Sequence, residues 1–229
     1  MDHENHLNIM KFDISYTFDA IPRLLEGAFI TMQVGVLGFI LSVLLATTIT
    51  IVRTSLKSKI FNLILAFYIS FIRGTPILVQ IFLVYYVLPV FGLNLGPFTA
   101  GILAITLNSA AFVTEILRGG LASVPIGQFE AAKSLGISGF ALWRKIILPQ
   151  TFITSIPPLV NEFTMVLKAT ALLSLITVVE LMRVSQQIYG ANYHPVEVLS
   201  GTFVIYFLMC FVVSRSSALL EKRFKVKRA

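Results

Sequence analysis

The chain has 229 residues, 56% hydrophobic and only 13% charged, with a mean hydropathy of +0.86. A soluble domain carries about 25% charged residues, so the composition excludes a disordered chain and argues against a soluble globular enzyme. The net charge is +7, and the single cysteine, Cys210, sits in an apolar run, which excludes a disulfide framework and a cysteine metal site.

Residues 1–23 are predicted to be an external N-terminal segment. It carries Asp2, Glu4, Asp13 and Asp19 and lacks the basic start of a signal peptide. Residues 24–222 form a single predicted transmembrane domain. Its first span covers Gly27 to Val52, a stretch without Asp, Glu, Lys or Arg, long enough for about 30 Å of hydrocarbon. The second runs from Ile60 to Leu88 and contains Arg73. Gly74-Thr75-Pro76 follows directly, so one helix bent near Pro76 is expected. Pro97 to Ala122 is a third span. A loop over 123–150 leads into a fourth, Thr151 to Leu181, interrupted by Pro157-Pro158, Glu162 and Lys168. Val196 to Leu219 is the fifth, and 223–229 is a basic tail. The fold class is therefore an all-α polytopic membrane protein with five transmembrane helices.

Orientation follows from Lys and Arg. With the N-terminus outside and the C-terminus inside, 13 of the 18 basic residues fall on cytoplasmic segments, as the positive-inside rule requires. The basic tail then lies beside anionic membrane lipid, and nucleic acid is not an expected partner.

The loop 123–150 carries the most information. Gln128 to Leu135 reads as a short helix of good formers, with Pro125 before it and Gly136 placed to end it at positive φ. Glu130 is expected near its start, complementing the helix dipole. Phe140, Trp143, Ile146 and Ile147 recur at helical spacing and predict an amphipathic helix along the membrane surface, with Trp143 as an interfacial anchor. On composition alone, a plain surface connector explains the loop as well.

Within the loop, Glu130-Ala131-Ala132, Gly136, Ile146 and Leu148-Pro149 resemble the EAA loop of integral-membrane subunits of bacterial ABC importers. Phe71 to Gln80, and Pro157-Pro158-Leu159 with Asn161-Glu162-Phe163, resemble the polar amino acid uptake branch of that family. The resemblance covers about residues 25–220. It implies a type I ABC importer permease-like fold in the bacterial cytoplasmic (inner) membrane. It also implies that Glu130, Ala131, Ala132, Gly136, Ile146, Leu148 and Pro149 couple the chain to an ATPase. The implied partners are a homologous or identical permease, two ABC ATPase subunits and an external solute-binding protein. The chain has no Gly-x-x-x-x-Gly-Lys-Ser/Thr loop, so ATP and Mg are expected on the ATPase. No cofactor, metal or catalytic residue is expected on this chain.

Charges inside spans are costly and normally face a bundle interior or wet cavity. Arg73, Glu162 and Lys168 are therefore candidate substrate contacts, supplemented by Asn108, Thr114, Asn161 and Thr164; pairing or interhelical hydrogen bonding explains each of them singly. Glu115 and Arg118 are expected to form a local i, i+3 ion pair. Glu162 and residue 169 share a helix face. Many members of the family carry Lys-Asp where this chain has Lys168-Ala169, a departure that puts a cationic side chain on the substrate in doubt. A zwitterionic amino acid remains matched by Glu162 with Lys168 or Arg73. The expected function is the transmembrane permease subunit of an ATP-driven importer of a polar amino acid. Alternatives are an importer permease for another small solute, an ATP-independent channel or carrier, and a non-transporting scaffold.

Overall fold

The computed structural model describes residues 12–56 and 58–225, with side chains as far as residue 216. The acids Asp2 and Glu4, the bases Lys11, Lys57, Lys227 and Arg228, and the side chains of Lys222, Arg223 and Lys225 lie outside the described residues. Every regular element among those residues is helical. α1 spans Ile14–Leu56, α2 Lys59–Gly74 and α3 Ile77–Phe82. α3 continues as a π turn, Leu83–Val87, and a 3-10 turn, Leu88–Phe91. α4 is Pro97–Ala122 and α5 Ile126–Ser134. α6, Gly139–Leu142, runs through a π turn, Trp143–Ile147, into α7, Leu148–Ala169, which ends in the 3-10 stretch Thr170–Ile176. α8 is Leu181–Asn192 and α9 Pro195–Lys225. Four helices are long and apolar enough to cross a membrane, and α2 with α3 makes a fifth if the bent pair is one span.

Several boundaries differ from expectation. α1 begins at Ile14, so part of the segment predicted to be external is the first turns of a 43-residue helix. The second span is bent near Pro76 as expected, but it is broken there into two helices whose axes differ by 110°. Pro157 and Pro158 do not interrupt α7, which passes through both. The fourth span instead ends at Thr177, in the left-handed region at φ 66°. A further helix, α8, follows where a loop was expected.

α1 packs because its buried face is small. Ala20, Leu24, Gly27, Ala28, Thr31, Val34, Gly35, Gly38, Ser42 and Ala46 recur every three or four residues. In lipid there is no hydrophobic drive between helices, and close backbone approach supplies the attraction. Gly27 illustrates the tolerance: a Cβ there would lie 2.8 Å from Leu181 Cα. The main core joins α1, α3, α4 and α7 around Val34, Ile81, Ala104, Ile105, Val166 and Leu173. A second cluster ties Ala20 and Leu24 of α1 to Leu181 and Val184 of α8 and Val198 of α9.

Both helix breaks leave main-chain groups without helical partners, which a bilayer cannot satisfy. At the α2–α3 break a neutral amide does so. Gln80 Nε2 lies 2.9 Å from the Ile72 carbonyl and 2.8 Å from Thr75 Oγ1, and Asn108 Nδ2 donates to Gln80 Oε1 at 2.8 Å. At the start of α8 a carboxylate does so. Glu180, fully buried, accepts from the main-chain N–H groups of Met182 at 2.9 Å and Arg183 at 2.8 Å, and from the Tyr206 hydroxyl at 2.8 Å. The Leu181 N–H donates to Thr31 Oγ1 at 3.1 Å.

Candidate functional site

A cavity of about 240 Å³ opens beside the α2–α3 break, between α4 and α7. Arg73 reaches it from the last turn of α2, Asn108 from the middle of α4, and Glu162 from α7; Thr75 adds a hydroxyl. The other walls are apolar, including Ile105, Phe112, Met165 and Ala169. Glu162 and Ala169 thus line one cavity, as two positions seven apart on one helix face should. The Ser109 hydroxyl donates to Glu162 Oε1 at 2.9 Å, and Ser42 Oγ of α1 lies 3.3 Å from Ser109 Oγ. A short polar chain therefore runs from α1 to the carboxylate. The Arg73 guanidinium carbon sits 5.7 Å from the centroid of the Phe112 ring, a cation–π distance.

The other candidate residues are placed elsewhere. Lys168 and Asn161 are exposed and do not line the cavity. Thr164 is buried, and its hydroxyl donates to the Asn161 carbonyl at 2.7 Å. Thr114 donates to the Ala110 carbonyl at 2.7 Å and faces a different cavity, nearer the loop after α4. The reason is helical phase: Asn161, Thr164 and Lys168 fall on other sides of α7 than Glu162. Glu115 and Arg118 form the expected local pair, Oε2 to Nη2, at 2.8 Å. Sequence reasoning passed over Gln80 and Ser109 as site residues. A lone amide inside the apolar run Ile77 to Val84 was the available signal for Gln80.

At the far end of the bundle, α5 forms the projecting knob. Its C-terminus carries both reciprocal bonds of a Schellman cap: Ile137 N–H to the Ala132 carbonyl at 2.9 Å and Gly136 N–H to the Lys133 carbonyl at 3.0 Å. Gly136 takes φ +70° with nothing near its missing Cβ, so its role is conformational rather than steric. Ala132 is buried against the bundle, while Glu130, Ala131 and the apolar Ile126 and Leu135 face outward. Glu130 stands in the middle of α5, not in its first turn, so it does not serve the helix dipole. Its exposure leaves it available to another molecule.

Beneath the knob, Val124, Trp143 and Ile147 make a buried cluster with Ile51, Leu121, Phe129, Ile146 and Leu148 around it. Trp143 is therefore a core residue and not an interfacial anchor. The stretch Phe140 to Ile147 is not a separate surface helix; it is the first part of the long helix that becomes α7. Pro149 lies at its exposed side, directly after the π turn Trp143–Ile147, whose widened hydrogen-bonding pattern accommodates a residue without an N–H inside the continuous helix.

A helical bundle with a charged cavity in mid-span and a capped knob on the loop between two spans defines a membrane permease driven by a separate motor. The chain belongs to the family of binding-protein-dependent transport system inner membrane components, which it matches over residues 38–226. It is 38% identical to the L-cystine transport system permease protein of Bacillus subtilis, over 88% of this chain and 86% of that one. It is 36% identical to the glutamine transport system permease protein of Escherichia coli, over 95% of this chain and all of the other. The crystal structure of an amino acid ABC transporter with histidines aligns with a TM-score of 0.83 at 36% identity, covering 93% of this chain and 100% of that one. The chain is thus an all-α, multi-pass inner-membrane permease of the type I ABC importer class. Its family works with ATPase subunits and a binding protein, and ATP is hydrolysed by the separate ATPase subunit.

Proposed function

We propose that this permease carries a polar α-amino acid, recognised as a zwitterion in the cavity between α4 and α7. One observation carries the reading: Arg73, Asn108 and Glu162, from three different helices, line a single chamber whose other walls, apart from the Thr75 hydroxyl, are apolar side chains. A guanidinium suits the substrate carboxylate and a carboxylate suits its ammonium. The remaining walls, with Ala169 where a second acid would stand, suit an uncharged side chain. Relatives that carry L-cystine and glutamine support an amino acid substrate.

The transport cycle follows from family membership and the knob. Two copies of a permease, this chain with itself or with a homologue, enclose the pathway. Two ATPase subunits, holding ATP and Mg, dock on the exposed face of α5 around Glu130, Ala131 and Gly136. The N-terminus lies outside and the C-terminus inside, consistent with the excess of basic residues on the knob-bearing side. ATP binding draws the knobs together and opens the cavity outward to the loaded binding protein; hydrolysis reverses this.

The test is uptake by the reconstituted complex across a panel of amino acids. Glu162→Gln keeps volume and removes charge, so uptake should fall at least tenfold while basal ATP hydrolysis and assembly persist. Gly136→Val strains the αL cap by about 1–2 kcal/mol and misaims the knob. It should leave abundance unchanged and abolish substrate-stimulated hydrolysis. Parental uptake by the Glu162 variant rejects the cavity as the substrate site; parental coupling by the Gly136 variant rejects the knob.

A further inference from the structure

A second cavity, of about 380 Å³, lies between the end of α1, the start of α2 and the end of α4. The substrate cavity does not include any of its residues. Arg53 and Arg118 line it, with Asn62 and the hydroxyls of Thr50, Thr54 and Thr114. Four of these groups are already wholly or partly committed. The three threonines donate to the carbonyls of Ala46, Thr50 and Ala110, so they offer only acceptor lone pairs. Arg118 gives Nε and Nη2 to Glu115, which leaves its Nη1. Arg53 has no ion-pair partner among the described residues. The Asn62 Oδ1 is a buried acceptor without a hydrogen-bond partner; a phosphodiester, itself only an acceptor, cannot satisfy it, so water fills that place and the Asn62 Nδ2 is the group left to face an anion. Two guanidinium groups converge on the cavity against the single carboxylate of Glu115, which pairs Arg118 and also lies in the field of Arg53; the one positive charge in excess, with the free donors of Arg53 and Arg118, suits a phosphate.

Two surroundings decide what carries that phosphate. Leu56, Ile60, Leu63 and Ile64, on α1 and α2 beside the cavity, are 60–74% exposed, a surface for acyl chains. The site also stands at the end of the spans, next to the α4–α5 connection, where headgroups of one leaflet reach. We infer that this cleft is a binding site for the phosphodiester headgroup of an anionic phospholipid. The headgroup sits between Arg53 and Arg118, and its chains lie along α1 and α2. Leu121 lines the cleft and also packs into the cluster that seats the knob, so an occupied cleft steadies the base of α5.

The experiment measures lipid retention by the purified full-length permease, using native mass spectrometry after exchange into phosphatidylglycerol or phosphatidylcholine. Parental protein should retain phosphatidylglycerol selectively. Arg53→Gln should weaken that retention about five-fold, as expected for removing one basic group beside an anionic headgroup. Arg53→Lys should restore most of it, and phosphatidylcholine retention should not change in either variant. A parallel variant with the basic residues after 221 neutralised separates this site from the tail. Unchanged selectivity in Arg53→Gln, or complete loss of selectivity on neutralising the tail alone, overturns the inference. So does displacement of the lipid by millimolar inorganic phosphate, which would make the ligand a soluble anion. Loss of retention for both lipids alike, with the Lys variant equally affected, reports a packing defect and also overturns it.

Discussion

The two helix breaks meet the same physical problem and solve it with opposite chemistry. At Gly74–Pro76 the loose carbonyls are gathered by Gln80, a neutral amide held in turn by Asn108. At Thr177–Glu180 the loose N–H groups are gathered by a fully buried carboxylate, which also takes the hydroxyl of Tyr206 from α9. A neutral amide exchanges partners at small cost. A fully buried carboxyl that gathers three donors at once cannot be removed without leaving all three unpaired, at a large penalty. The first arrangement borders the cavity between α4 and α7, through Asn108 and Thr75; the second joins α1, α8 and α9. The difference teaches that the polar joint beside the cavity is built to rearrange, and the one remote from it to stay.

The strongest attack on that contrast is Glu180→Ala. Two main-chain donors and a hydroxyl lose their acceptor at about 1–3 kcal/mol each, so the purified protein should lose about 3 kcal/mol or more. Thermal unfolding in detergent should show it, with reduced abundance in the membrane. Gln80→Ala frees the Ile72 and Thr75 carbonyls, Thr75 Oγ1 and Asn108 Nδ2, but all except the Ile72 contact are only partly buried and water can replace them, so the cost should stay at about 1–3 kcal/mol. Its uptake should fall further than its stability, because the cavity wall is displaced. Equal stability losses for the two variants would erase the distinction. Tyr206→Phe takes one donor from the carboxylate and should cost about 1.5–3 kcal/mol at most, less than Glu180→Ala in the same assay.

The smallest effect sharpens the comparison from outside the spans. Asp13 also serves a helix start, accepting from the Ser15 N–H at 2.9 Å, but it is exposed. Its hydrogen bonds with Ser15 hold its carboxyl below the ordinary carboxylate range. A lowered folded-state pKa adds stability above the unfolded value, and that stability fades as pH falls through the lowered one. Asp13→Asn should therefore lower stability slightly at pH 7 and flatten the acid limb of a stability-against-pH curve, the difference from the parent vanishing as pH falls below about 4.

What the sequence disclosed follows the same physical lines. Long uncharged stretches such as Gly27 to Val52 announced spans, because lipid tolerates little else. Gly136 announced a left-handed cap, because glycine bears that conformation without strain. Other features were hidden by their dependence on distant partners. Pro157-Pro158 looked like a break, yet neighbouring helices hold α7 together through it. Trp143 looked like an anchor on composition, but its cluster is assembled from α1, α4 and α5. Glu180 gave no warning, since glutamate is not a favoured N-cap and its partners Thr31 and Tyr206 lie 149 and 26 residues away. Of the cavity, Arg73, Asn108 and Glu162 were legible as polar groups in apolar spans. Lys168, Asn161 and Thr164 were equally polar, and only helical phase separates them from the site.

The continuous helix from Gly139 to Ile176 has a mechanical consequence. Trp143, in the seat of the knob, and Glu162, in the cavity wall, are carried on one shaft. At 1.5 Å per residue they stand about 28 Å apart along it. Each degree of tilt about Trp143 then sweeps Glu162 through about 0.5 Å, so a few degrees delivered at the knob displace the carboxylate by a full hydrogen-bond length. Pro149, Pro157 and Pro158 lie between the two points, and each removes a backbone donor from the shaft. They soften the shaft, so a tilt imposed at Trp143 reaches Glu162 reduced by whatever bending those positions allow.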